Sequence, residues 1–373
     1  MNAHFENYNL LTDLSGSDGD LKVIIDTVNA KYNNSFWKVL TDVMPARRSK
    51  KFATIIEETG IIVKASVVGS ESRKPIRSFE GGAEYEDSMP KIGHAFNFSQ
   101  ADINKIEELN YVNQDMAKMA AAKYLNRTQK LIAGFHATWN GWIYQAMSDQ
   151  IIRLDSFGDT PSTVDLRTKA SHKLVAKGTA GWFASGTTAK IADDLQRMNK
   201  IADEDNLPAN RAYVCSKQLF DKIVADPAIK AAILATMPLA TSDSYLSPKM
   251  ISKMISTVFD IPAIFSIDEV SRIEVDGIPV LNTADFNVNK ISLIPVGKLF
   301  DMHNSPSDYS KDTNPAVYKA VTEGGLIGSL QQFSSNPINI LTSYESWTFP
   351  TFKNPDFIVS LDSSTGTTTG LPE

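Results

Sequence analysis

Few residues of this 373-residue chain have the types and spacing that catalysis requires. Gly181 to Thr188 has the glycine spacing of a phosphate-binding loop, but the lysine before the final Ser/Thr pair, which would hold the terminal phosphates, is absent. The histidines occur singly, and Asp18 stands where a calcium-binding loop requires glycine. No nucleophile elbow, zinc-protease helix or dinucleotide-binding turn is present. The sequence therefore predicts no catalytic residues, cofactor site or metal site, and a protein that is not an enzyme.

The single cysteine, Cys215, excludes an intrachain disulfide and a thiolate metal cluster. It lies in the strand-like segment RAYVCSKQLF, where a buried small hydrophobic residue is favoured over a reactive thiol. The formal net charge of -6 argues against a protein built mainly to neutralise phosphates. No apolar run approaches the length of a membrane span, and the first residues do not have the pattern of a secretory signal.

The order of the elements carries more information than any motif. A polar, glycine-interrupted, hairpin-like stretch from Phe52 to Phe98 leads directly into helical periodicity from Ser99 to about Leu154. Such a hairpin has too little apolar surface to be stable alone in water, and the helix is unusually long for an enzyme. Both features are explained if neighbouring copies of the chain supply the missing contacts.

Two local features support the long helix. Ser99 is placed to cap its N-terminus, with Asp102 at the third helical position as a shortened capping box. Gly134 and Gly141 each cost about 1 kcal/mol relative to alanine inside a helix. We therefore expect these glycines to admit a close neighbour or to mark a bend.

Within the hairpin-like stretch, the residues at the tip are basic and the residues of the second half are acidic. Together with a basic cluster that precedes the stretch, these charges are candidates for contacts between subunits, with a solvated flexible loop as the alternative. The candidate contact residues are Arg47, Arg48, Arg73, Lys74, Arg77, Glu84, Glu86 and Asp87.

Downstream of the long helix, helical and strand-like segments alternate, and the C-terminal part is rich in strands, so the fold class is α+β. Asp276-Gly277 predicts a hairpin turn. Trp139, Trp142 and Trp182 are either core residues or anchors of a subunit contact. The tail from Ser363 contains almost no core-forming residues, which predicts flexibility.

In the order of its predicted elements and the residue composition of its segments, the chain resembles the major capsid proteins of tailed bacteriophages. These have the Hong Kong 97 fold, and the resemblance is more narrowly to the lambda-like branch. The C-terminal part carries the resemblance most clearly. There IPVGKLFDMHN is followed by a strand with Glu345, Ser346 and Trp347, then by Pro350 and an Asn354-Pro355 turn.

The resemblance implies a division of the chain into structural parts. These are an N-terminal arm (1–51), an extended loop (52–98), a peripheral domain with the spine helix (99–170 and 291–362), an axial domain (171–290) and a flexible tail (363–373).

The resemblance also implies a function. The chain would form pentamers and hexamers of an icosahedral shell that encloses the double-stranded DNA of a tailed phage, after assembly in the host cytoplasm. Its partners would be copies of itself, a separate scaffolding protein, a portal and a decoration protein, with non-specific DNA contact and no membrane. The alternatives are an encapsulin-like nanocompartment shell and an unrelated soluble enzyme.

Overall fold

The structure is a computed structural model, which divides into two compact units. It describes residues 28–55, 84–102, 104–105, 108, 114–154, 162–178, 180–184, 191–237, 246–268, 271–275, 278–282, 285–311, 317–321, 326–335 and 338–366. The first unit comprises Met1–Thr54, Glu86–Asn140 and Phe300–Thr351. The second comprises Ile55–Tyr85, Gly141–Leu299 and Phe352–Glu373. Both units contain helices and strands, which confirms the predicted α+β class.

The main elements are numbered in chain order. The α-helices are α1 (Phe36–Leu40), α2 (Gln114–Asp149), α3 (Ile191–Glu204), α4 (Lys217–Ala225), α5 (Pro227–Ala235) and α6 (Pro248–Phe259). The first strands are β1 (Thr41–Val43), β2 (Lys51–Ile55), β3 (Glu84–Ser88), β4 (Lys91–Phe98), β5 (Ile151–Leu154), β6 (Ser162–Asp165), β7 (Lys173–Ala176) and β8 (Arg211–Ser216). The later strands are β9 (Ile264–Ile267), β10 (Ser271–Val275), β11 (Ile278–Asn282), β12 (Lys290–Pro295), β13 (Phe300–Ser305), β14 (Val317–Val321), β15 (Gly328–Ser335), β16 (Ile338–Phe352) and β17 (Val359–Gly366).

The sheet of the first unit is organised around β16, a strand of 15 residues. β15 and β4 both pair antiparallel with residues 340–345 of β16, so they lie on its opposite edges. β13 also pairs with β16, and β1 pairs parallel with β13. Since β1 belongs to the predicted N-terminal arm, this parallel pairing attaches the arm to the sheet.

The last strand of the predicted extended loop, β4, belongs to a sheet of the first unit. β2 and β3 pair with each other, but β4, which was assigned to the loop, is a strand of the six-stranded sheet with Phe98 buried. Its backbone finds hydrogen-bond partners within the chain, on β16, and does not need a neighbouring subunit for them. Residues 56–83 of the predicted loop lie outside the described part of the chain.

The long helix predicted from the sequence is present as α2, whose 36 residues extend over about 54 Å. Upstream of α2, the side chains of Ser99 and Asp102 form the predicted capping box: each accepts a hydrogen bond from the other's backbone N–H. A Cβ atom at Gly134 would lie 2.8 Å from His94 Nε2, and one at Gly141 would lie 3.0 Å from Asp285 Oδ1. The prediction that these glycines admit close neighbours is confirmed.

The second unit contains a five-stranded sheet in the order β7-β17-β12-β8-β9. Ile291 and Leu293 of β12 join one apolar core with residues of α3, α4, α5 and α6. Ser292, on the opposite face of the strand, donates a hydrogen bond to the carbonyl of Met147 at the end of α2. The sheet therefore has helices on both faces.

Strand pairing corrects two predicted boundaries. The predicted peripheral domain included residues 291–362, yet β12 and β17 lie in the same sheet as β8 of the predicted axial domain. The predicted flexible tail began at Ser363, which is 3% exposed and belongs to β17. Its backbone N–H donates to the carbonyl of Asn289, and its carbonyl accepts from Trp182. The polar tail is ordered up to Gly366 because its backbone completes a sheet.

Candidate assembly site

A buried carboxylate, that of Glu345, lies in the sheet of the first unit. Glu345 is 0% exposed and is the single charged residue of β16. Gly328 of β15 and Gly93 of β4 are its neighbours in register on the two flanking strands, so no cross-strand side chain competes for its space. Its Oε1 atom accepts hydrogen bonds from Ser307 Oγ at 2.6 Å and from the backbone N–H of Tyr309 at 3.3 Å.

Two lysines complete this site. Lys91 Nζ lies 2.6 Å from Glu345 Oε2, and its hydrogen bond to Glu345 raises the pKa of Lys91 above the usual value, against the opposing effect of partial burial. Lys50 donates to both carboxylate oxygens of Asp308, at 2.7 and 2.8 Å, and lies 3.6 Å from the ring centroid of Trp347. We call Lys50, Lys91, Asp308, Glu345 and Trp347 the loop-base clamp.

The clamp holds both chain ends of the segment between β2 and β4. Lys50 immediately precedes β2, and Lys91 begins β4. The backbone N–H of Met89 also donates to the carbonyl of Lys50 at 2.8 Å. Each exposed ion pair contributes only about 0–1 kcal/mol, but the buried Glu345 requires its partners. Lys50 and Lys91, which flank the stretch from β2 to Pro90, are therefore held close together on Asp308.

Some of the residues predicted for subunit contacts lie within the described part of the chain, and others do not. Arg47 and Arg48 are exposed, and the backbone N–H of Arg47 donates to the carbonyl of Asn304. The backbone of β3 includes Glu84, Glu86 and Asp87. The tip residues Arg73, Lys74 and Arg77 lie outside the described residues. The assignment of these residues to subunit contacts stays a prediction.

Glu345 and Lys91 are not among the residues predicted to form a site. A signal was present: one glutamate within a long strand of otherwise uncharged residues needs a buried partner. The sequence left open whether Trp139, Trp142 and Trp182 are core residues or anchors of a subunit contact. All three are buried within this chain. They are core residues of the subunit.

The other chemical candidates have structural roles. A Cβ atom at Gly181 would lie 2.5 Å from the carbonyl oxygens of Ser363 and Ser364, so this glycine permits the close approach of β17. In the ranges that the structure describes, no group of three or more potential metal ligands occurs. None of the helices in those ranges is both long and apolar enough to cross a bilayer.

Cys215 is 0% exposed, and burial raises the pKa of its thiol to about 12. We expect no labelling of the native protein by a thiol reagent at pH 8, because both access and thiolate are lacking. Denaturant should make the thiol fully reactive, which a colorimetric thiol assay measures with and without urea. Rapid labelling of the native chain would contradict the burial of this residue.

Several solved structures with a similar fold are capsid or phage-related proteins. A protein assigned as the capsid protein of a prophage of Escherichia coli CFT073 matches with a TM-score of 0.53 and 10% identity, over 94% of this chain and 99% of that chain. A phage-related protein from Bordetella bronchiseptica RB50 has a TM-score of 0.47 and 13% identity, with 94% and 98% covered. The capsid protein of cyanophage P-SCSP1u has a TM-score of 0.47 and 13% identity, with 90% and 88% covered. No curated protein sequence matches the chain.

The first of these similarities defines the class: the chain has a Hong Kong 97-like capsid fold. The family is given by a sequence profile described as phage major capsid protein E, which matches residues 39–361. The chain belongs to this family. It is a structural protein of the phage capsid, and copies of it associate into the shell of the virion. The predicted resemblance to tailed-phage major capsid proteins is thereby confirmed, and the nanocompartment alternative is not favoured.

Proposed function

We propose that copies of this chain form pentamers and hexamers, and that these build an icosahedral head shell around the double-stranded DNA of a tailed phage. The observation that carries the proposal is the family match over residues 39–361. The assembly takes place in the host cytoplasm and involves no catalytic step by this chain.

The loop-base clamp supports a specific role for the segment between β2 and β4. A long polar segment is useful for subunit contact only if its direction is defined at its base, because an unrestrained loop would lose much conformational entropy on binding. The clamp supplies that direction through Lys50 and Lys91. Contacts that are weak singly become decisive when they are repeated around a closed shell.

Further partners follow from the same proposal. A separate scaffolding protein guides assembly, a portal occupies one vertex and a decoration protein binds the outer surface. The packaged DNA meets the inner surface without sequence readout, through scattered lysines. Arg47, Arg48, Glu84, Glu86 and Asp87 contribute contacts between neighbouring subunits.

Negative-stain electron microscopy with light scattering on the purified chain, alone and with its genomic neighbours, tests the proposal. Closed shells, tubes or rings of five and six copies are expected. Nucleic acid inside particles purified from infected cells would distinguish a phage head from a shell that encloses protein. A monodisperse monomer under every condition would contradict the proposal.

Reversing the charge of Arg73, Lys74 and Arg77 together is expected to abolish closed shells while the monomer stays folded, because these cations face acidic groups of a neighbour. Particle counts by microscopy and circular dichroism of the monomer provide the measurement. The matched control replaces Arg73 and Arg77 by lysine, which keeps the charge. Mixing with a variant that carries lysine at Glu84, Glu86 and Asp87 tests whether complementary charges restore shells. Normal shells from the reversed variant would refute the contact.

A further inference from the structure

One buried histidine of α2 contacts three residues of the N-terminal arm. His136 of α2 is 2% exposed. Its ring stacks on Tyr32 of the arm, with centroids 4.2 Å apart and an interplanar angle of 3°. Trp37 of α1 donates from Nε1 to His136 Nδ1 at 3.1 Å, and Asn29 Oδ1 lies 2.7 Å from His136 Nε2. Three residues of the arm thus converge on this one ring.

The hydrogen bonds determine the state of the imidazole. An indole N–H is only a donor, so His136 Nδ1 must accept the bond from Trp37 and carries no proton. His136 Nε2 therefore carries the proton and donates it to Asn29 Oδ1. A second proton on Nδ1 would place two N–H groups against each other. The arm contact consequently requires the neutral ring.

The surroundings of His136 disfavour the protonated ring. Burial lowers the pKa of His136 to about 4, and the positive charge of Lys38 on the arm acts in the same direction. In α2, the residues one turn away are Ile132, Ala133, Trp139 and Asn140, which carry no charge. The phenol ring of Tyr32 would attract an imidazolium, but an aromatic ring stabilises a cation by only about 0.5–2 kcal/mol. This gain is opposed by the loss of the Trp37 hydrogen bond and by the desolvation of the charge.

We propose that protonation of the His136 ring releases residues 28–40 of the arm from α2. The rest of the subunit stays folded. The neutral ring is the state that accepts from Trp37 and donates to Asn29, and the doubly protonated ring repels both Trp37 and Lys38. Trp37 and Lys38, the groups that the added proton repels, belong to the arm, whereas Trp139 of α2 contacts the ring edge-on, with centroids 5.3 Å apart.

The direction of the pH effect follows from linkage. The pKa is lowered from 6.5 to about 4, so the full contribution of the neutral ring is present above pH 6.5 and is lost as the pH falls towards 4. The equilibrium between the fastened and released arm is expected to shift by roughly a hundredfold between pH 7 and pH 4. All of the groups involved belong to one subunit, so the pH effect does not depend on the proposed shell geometry.

Hydrogen–deuterium exchange of the full-length chain at pH 7, 5.5 and 4, corrected for intrinsic exchange rates, tests the proposal. Peptides that cover residues 28–40 should lose protection as the pH falls, while peptides from β8 and β12 keep theirs. In a His136→Gln variant, whose amide can accept from Trp37 and donate to Asn29 but does not titrate, the arm should stay protected at pH 4.

The matched control is His94→Gln, since His94 is an exposed histidine whose ring packs on Phe135 of α2, next to His136 in the chain, with centroids 5.5 Å apart. This variant should show the same loss of arm protection as the unmodified chain. Loss of protection in the arm and in β8 at the same pH would mean global acid unfolding and would overturn the proposal. An arm that stays protected at pH 4 in the unmodified chain would overturn it equally. The proposal would also be overturned if the arm of His136→Gln were protected at pH 7 and still lost its protection at pH 4. If the arm of this variant were already unprotected at pH 7, the claim that a neutral donor–acceptor side chain suffices would be overturned.

Discussion

Asp194→Ala is expected to lower the free energy of unfolding of the second unit by about 3–5 kcal/mol, because it removes the centre of a buried polar network. Asp194 is 0% exposed. Its carboxylate accepts from Trp182 Nε1 at 2.7 Å and from the backbone N–H of Lys177 at 3.0 Å. Arg197 Nη2 lies 2.9 Å from the same carboxylate. Alanine would leave a buried indole N–H and a backbone N–H without an acceptor, and a guanidinium without its counterion.

Urea denaturation, read by hydrogen–deuterium exchange of peptides from β8 and β12, measures this loss within the second unit. Asp193→Ala is the matched control, because Asp193 is exposed in the same first turn of α3 and its removal should cost no more than about 1 kcal/mol. A difference below about 1 kcal/mol between the two variants would show that the network around Asp194 is not needed for stability.

Gly328→Ala is expected to destabilise the first unit by about 3 kcal/mol and to reduce the yield of shells, because it disrupts the loop-base clamp. A Cβ atom at Gly328 would lie 2.1 Å from Ser307 Oγ and 2.2 Å from Ser307 Cβ. Ser307 would have to move, and Glu345 would then lose the hydrogen bond that Ser307 donates. Thermal unfolding and particle counts by electron microscopy measure the two effects.

Two variants separate the steric cause from other effects of the substitution. The double change Gly328→Ala with Ser307→Gly removes the clashing atoms and should recover part of the stability, although the bond to Glu345 remains lost. Gly93→Ala introduces a Cβ atom at 3.3 Å from the carbonyl of Tyr344, on the other side of Glu345, and should have a much smaller effect. Equal losses from Gly93→Ala and Gly328→Ala would contradict the argument from Ser307.

Several elements could be predicted because their cause lies within a few residues. The capping box of Ser99 and Asp102 is a local hydrogen-bond pattern. The antiparallel pairing of β10 with β11 follows from the Asp276-Gly277 turn signal between them. The boundary between α4 and α5 is local in the same sense, because Pro227 begins a new helix that the side chain of Asp226 caps.

The amino-acid sequence by itself predicted local caps and turns, the burial of Cys215 and the family of capsid proteins, while at Gly134 and Gly141 it left a close neighbour or a bend open. Only the tertiary structure decided which distant strands pair, so that β17 joins β12 and β7 rather than remaining a flexible tail. It also decided the site, since Glu345 is balanced by Lys91 and His136 is held by Trp37, 99 residues away in the chain. Periodicity and caps report on neighbours within a turn or a hairpin. The register between distant segments depends on packing and on shared hydrogen bonds, which exist only once the chain has folded.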